Sequence, residues 1–235
     1  QSGFMEVNCL ASTGTTAGPT TSGSGSSITG IGKQAWSNPG NVAGGGNASV
    51  VCAIETSGNH ISNYLRAANY GFSVPANAII TGITVTIRRQ SSGSQAPLIR
   101  DNRVSLVKGG TVQATNKANV GVSWPTALAE FSYGGSNDLW GTTWTASDIN
   151  SSNFGVVLSV INNNNSFSRT ADVDYIRVTV TYNVPGTVNW YTAVTGGSSL
   201  GTDVTFNPVG VAGSGLSNTN TAGTTTYYVN CTNIG

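Results

Sequence analysis

The chain has 235 residues, 38% of them hydrophobic and only 8% charged, with a net charge of +1. Against a charged share of about 25% in ordinary soluble domains, this excludes charge-driven disorder and leaves Ser, Thr, Asn and Gly to build the polar surface. The densest basic run is the pair Arg88-Arg89, so nucleic acid is not an expected partner; no run nears the roughly 18 apolar residues of a membrane span, so membrane insertion is not expected either.

Residues 1–27 are rich in Ser, Thr and Gly and read as extended or loop-like, with one strand around Phe4–Leu10. An Asn38-Pro39-Gly40 turn signal precedes a short buried strand over Ser49–Ile54. Tyr64–Val74 alternates and stops at Pro75, which predicts a strand closed by a turn. Ile79–Arg89 is the clearest strand in the chain. Ile83, Val85 and Ile87 take one face, and Thr84, Thr86 and Arg88 the other, a period of two. A turn over Ser91–Gln95 leads to a strand over Arg100–Val107, and a Gly109-Gly110 turn to a hairpin partner at Thr111–Thr115. Leu128–Tyr133 resumes the strand pattern.

Tyr133 to Val160 is densest in aromatic residues, with Tyr133, Trp140, Trp144 and Phe154 set among turn formers. Thr145–Asn150 predicts one helical turn, with Thr145 as N-cap and Asp148 three residues on. Strands follow at Phe154–Ile161 and Ala171–Tyr182, joined by a tip of four asparagines, Asn162–Asn165, expected to be solvated. No segment sustains a helical period. The expected fold class is all-β: a jelly-roll-like β-sandwich over residues 1–183, with an extended N-terminal segment. Beyond Pro185, strands at Val188–Val194, Val204–Phe206 and Thr225–Cys231 predict a small Ig-like β module over residues 184–235. About fifty residues is small for an independent sandwich without a staple, so the module is truncated, pairs with a following segment, or leans on the first domain.

Three cysteines are too few for a disulfide scaffold. Cys9 and Cys52 are a candidate pair, which would leave Cys231 for a partner beyond Gly235; the alternative is three buried free thiols.

Catalytic chemistry is poorly provided for. His60 is the only histidine, and just nine acids are present, with Glu6, Glu55 and Glu130 the sole glutamates. No nucleophile elbow and no zinc-type His/Cys spacing occur, so no enzyme is expected. Asp172 and Asp174 alternate in phase with Ile176, Val178 and Val180, which points them inward, where an acid needs pairing or a metal. A structural calcium is one expectation, using Asp172 and Asp174 with Asp101 or Asn102; the other is a sheet-end aspartate paired with Arg100, Arg103 or Arg177, or capping a turn. Trp140 and Trp144, with Asn137 and Asp138 beside them, form a candidate carbohydrate or adhesion surface; plugging the sandwich end is the alternative.

The words Trp190-Tyr191, Gly196-Gly197, Leu200-Gly201-Thr202 and Thr226-Tyr227-Tyr228-Val229 resemble the immunoglobulin-like repeats of large adhesins and surface proteins exported by the type IX secretion system of Bacteroidota. In that family they form a Trp-Tyr strand, a Gly-Gly hairpin and a closing strand. The first domain looks like a β-sandwich recurring in secreted bacterial and phage-associated surface proteins. The matching words are Tyr70-Gly71-Phe72-Ser73-Val74-Pro75, Ile80-Thr81-Gly82-Ile83, Tyr133-Gly134-Gly135, Asp138-Leu139-Trp140-Gly141, Asn153-Phe154-Gly155-Val156 and Val173-Asp174-Tyr175-Ile176. Gln1 fits the mature start of an exported protein of that phylum. The resemblance implies a secreted, cell-surface segment of a longer adhesin, of the gliding-motility kind. It presents rigid β-modules, with other modules of the chain and a surface glycan or other extracellular ligand as partners. The alternatives are a carbohydrate-binding module and a phage or filament structural protein.

Overall fold

A computed structural model describes residues 4–53, 58, 60–93 and 98–232. Gln1, Ile54, Glu55, Asn59 and the far end of the Ser91–Gln95 turn lie outside the described residues. The chain is all-β. Its strands are β1 (Met5–Glu6), β2 (Leu10–Thr21), β3 (Ser24–Ile28), β4 (Ala43–Cys52), β5 (Tyr64–Ala68), β6 (Ile79–Ser91), β7 (Ile99–Lys108), β8 (Thr111–Val112), β9 (Ala129–Gly135), β10 (Gly155–Asn162), β11 (Arg169–Pro185), β12 (Thr187–Tyr191), β13 (Thr205–Phe206) and β14 (Tyr228–Thr232). Among the described residues a 3-10 turn at Pro39–Val42 and one helical turn, α1 (Ala146–Asn150), join them.

Two compact units form. The larger holds Thr16–Ala76 and Ile80–Tyr182; the other gathers Gln1–Thr15, Asn77–Ile79 and Asn183–Gly235. The N-terminal residues thus fall in the unit of the C-terminal segment, where the sequence placed them with the sandwich.

The larger unit is a β-sandwich. One sheet runs β3-β5-β10-β7-β8, and the other β2-β11-β6-β9 with β4 also paired to β11. Alternation on the long strands supplies the core: Ile83, Val85 and Ile87 of β6, Val104 and Leu106 of β7, Val156, Leu158 and Val160 of β10, and Ile176, Val178 and Val180 of β11 are all fully buried. Each such side chain stabilises the fold by about 1.5–3 kcal/mol relative to exposure. β10 is buried on both faces, because Val157 packs with Tyr64 and Val107 beneath Ile28, Ile31 and Val112.

Three expectations are corrected here. The strand predicted over Tyr64–Val74 ends at Ala68, because Asn69 turns left-handed (φ 57°). Tyr70, Phe72 and Val74 still alternate inward, and the Asn150 side chain takes the place of a strand by accepting from Val74 N–H and donating to its carbonyl, both at 2.8 Å. β2 forms where a loop was expected; its Pro19 is tolerated on an outer strand, and a Cβ at Gly18 would lie 2.4 Å from the Val178 carbonyl of β11. The Asn162–Asn165 segment is not a solvated tip. Asn162 is fully buried and donates to the carbonyls of Cys52 (3.2 Å), Ala53 (2.8 Å) and Phe167 (3.0 Å). Its Oδ1 accepts from Asn164 N–H, and Asn164 Oδ1 accepts from the N–H groups of Ser166 and Phe167.

Candidate functional site

The aromatic stretch closes the end of the sandwich. Asp138 Oδ1 accepts from Trp140 N–H at 2.8 Å and fixes Trp140 in the left-handed region (φ 56°), an Asx turn that an L-residue needs help to hold. The indole then turns inward, and its Nε1 donates to the Ile83 carbonyl at 2.9 Å. Thr145 caps α1 in a reciprocal capping box with Asp148, as its spacing predicts. That short turn seats Trp144 edge-on against Phe154, with ring centres 5.5 Å apart, and Trp144 Nε1 donates to the Leu139 carbonyl at 3.0 Å.

Trp140 is 1% exposed and Trp144 6%. The ammonium groups of Lys117 and Lys108 lie over their rings at 5.4 and 5.5 Å. The expected adhesion surface of Trp140, Trp144, Asn137 and Asp138 is therefore not formed: the rings plug the core, and Asp138 is occupied by Trp140 N–H and by Lys117 Nζ at 2.6 Å. The Lys117 hydrogen bond, with that of Trp140 N–H, holds the Asp138 carboxyl below its ordinary pKa despite some desolvation. The other three tryptophans, Trp36, Trp124 and Trp190, are also buried, and each donates its Nε1 proton to a protein oxygen within 2.9 Å.

Nor do Asp101, Asp172 and Asp174 converge on a metal. The register of β11 against β4 shifts between Val173 and Tyr175, a β-bulge that reverses which side chains point inward. Asp172 and Asp174 therefore lie on the outer face of their sheet. Asp174 pairs with Arg88 at 2.6 Å, and Asp172 accepts from Ser49 Oγ at 2.5 Å and Gln90 Nε2 at 3.1 Å. Asp101 is interior, on the opposite sheet. Among the described residues no three His, Cys, Asp or Glu side chains gather as metal ligands.

The structure instead places Asp101 in a buried polar cluster with Arg89. Asp101 Oδ1 accepts from Arg89 Nη1 and from Trp124 Nε1 (2.8 Å); Oδ2 accepts from Tyr133 Oη (2.8 Å) and Asn119 N–H (2.9 Å). Arg89 lies over the rings of Trp124 and Phe131, 4.6 and 4.2 Å from their centres. Burial first, and then the Asp101 carboxylate, push the Tyr133 phenol up, so it stays a donor. The sequence holds a signal for this cluster: Arg89 continues the Ile83-Val85-Ile87 face, and an arginine there must find a buried acid.

The predicted Cys9–Cys52 bond is also not formed. Cys9 is bonded to Cys231, while Cys52 is a buried free thiol on β4 of the other unit, pushed up to about 12 by burial. Cys9 packs with Val188, Trp190 and Phe206, and β14 sets Cys231 opposite Val188. Gly186 lies against the bond, where a Cβ would be 2.7 Å from Cys9 Sγ.

In this second unit β12 and β14 pair antiparallel. Thr187 faces Thr232, Asn189 faces Asn230, and Tyr191 faces Tyr228 on one side; Val188 and Trp190 turn to the core on the other. Tyr191, Tyr228, Val229 and Asn230, with the Gly196-Gly197 turn, line an open groove of about 390 Å³.

No protein-family model matches the chain, and no curated protein matches it. Among the solved structures that resemble it distantly are two whose likeness is in the fold alone. One, described as "CBM4 structure and function", is 9% identical with a TM-score of 0.30, over 56% of this chain and 82% of that one. The other, from the structural analysis of an exo-beta-agarase, is 11% identical with a TM-score of 0.33, and the alignment spans 76% of this chain but only 24% of the agarase.

Proposed function

We propose that the chain is a non-catalytic segment of a secreted, surface-displayed protein, which presents rigid β-modules for attachment in the manner of the adhesins its C-terminal repeat resembles. The Cys9–Cys231 disulfide carries this reading. A bond closing 222 residues stabilises by about 5 kcal/mol in the chain-entropy model, and structural disulfides belong chiefly to oxidising compartments and are rare in the cytosol. The acids support it too. Asp101, Asp138, Asp148 and Asp174 are engaged by cations, Asp172 by Ser49 and Gln90, and Glu130 by Tyr175, so each serves the scaffold. Type IX export and a role in gliding rest on the repeat resemblance. Protease shaving of intact cells that express the protein natively tests the reading: release of its peptides from the surface is expected, and recovery only after lysis would overturn it.

A further inference from the structure

We propose that the outer face of the β12–β14 pair is a binding site for a neutral oligosaccharide. This deepens the attachment reading by naming a ligand class and a face; it rests on attachment and not on export.

Like residues face each other across the pair: Tyr191 with Tyr228, Asn189 with Asn230, Thr187 with Thr232. Directly opposed side chains sit about 5 Å apart, and successive rows on one face about 7 Å apart. The three rows therefore form a strip about 14 Å long, the length of a short oligosaccharide. At one end Tyr228 is 37% exposed and joins Tyr191 along the groove. A tyrosine ring offers an apolar face with few rotamers to freeze, suited to the C–H face of a pyranose. Next along the strip, two asparagine amides each donate and accept, matching sugar hydroxyls, which do both. The threonine hydroxyls follow.

Charge decides between ligand classes. From Asn183 to Gly235 the sequence holds one charged residue, Asp203, whose carbonyl accepts from Trp190 Nε1 on the core side of β12. With no cation or anion on the face, neither a polyanion nor a charged peptide finds a counter-charge, whereas a neutral glycan needs none. Val194, 72% exposed beside Tyr191, adds an apolar rim.

The test uses the full chain, purified and oxidised, titrated calorimetrically with neutral hexasaccharides of glucose, xylose, mannose and galactose and with sulfated and uronic-acid oligosaccharides. At least one neutral hexasaccharide is expected to bind. Tyr228→Ala should weaken it tenfold or more, Asn230→Ala severalfold, and Tyr228→Phe little, with unchanged thermal melts because Tyr228 lies outside the core. The proposal fails if no neutral hexasaccharide binds at millimolar concentration, if Tyr228→Ala binds as well as the parent, or if only anionic oligosaccharides bind. It fails equally if the face instead mediates self-association that Tyr228→Ala abolishes.

Discussion

Gly134 makes room for Trp140. A Cβ on Gly134 would stand 2.5 Å from Trp140 Nε1 and 2.3 Å from the Ile83 carbonyl that this nitrogen donates to. Gly134 also sits at φ 73°, where a side chain is strained in any case. Gly134→Ala is therefore expected to destabilise by about 1–3 kcal/mol, and Trp140→Ala by about 3–5 kcal/mol, in urea denaturation. The two share one seat, so in the double variant the costs should fall short of their sum.

Arg89 and Asp101 bridge the two sheets, at 1% and 0% side-chain exposure. Asp101→Asn leaves a buried guanidinium without its counter-charge and should cost about 3–5 kcal/mol. The double variant Arg89→Met/Asp101→Leu removes both charges and should recover much of that loss. Equal destabilisation of the single and double variants would show that the ion pair is not what the interior depends on.

Asp138 supplies a pH dependence. Its carboxyl is held below the ordinary value by the Lys117 hydrogen bond and by Trp140 N–H. A depressed folded-state pKa contributes stability that is present above the unfolded pKa and is lost as pH falls through the folded one. The melting temperature should thus decline as pH drops below about 4, and Asp138→Asn should flatten part of that decline. A variant with the parent's pH profile would contradict the assignment.

Asn162 feeds one amide to three backbone carbonyls. Asn162→Asp replaces that donor with an acceptor while keeping the oxygen that Asn164 N–H donates to. It should destabilise more than Asn162→Ala, which already forfeits donors worth at least about 2 kcal/mol. Chemical denaturation of the two variants orders them.

What the sequence showed and hid divides by range. β6 and β7 were legible because their neighbours in sequence settle their faces, and the capping box at Thr145 because it is a local pattern. β2 was not, since LASTGTTAGPTT carries no alternating hydrophobes and is held by pairing with β11. Asp172 and Asp174 were misplaced because one bulge inverts the period, and no residue type announces it. For Trp140 and Trp144 the sequence left an exposed surface and a plug of the sandwich end both open; the plug is what forms, and for Trp140 it depends on the Ile83 carbonyl, 57 residues away in the chain. The Cys9 partner was hidden for the same reason: pairing follows from which strands meet.

The Cys9–Cys231 bond carries the claim of export, and mapping it in protein recovered from its native cells under acid quench is the most direct test. Non-reducing peptide analysis should find Cys9 linked to Cys231. Cys52 should be a free thiol that ignores a thiol reagent until the protein is denatured, as its burial and raised pKa require. Reduced Cys9 and Cys231, or a Cys9–Cys52 linkage, would contradict the account.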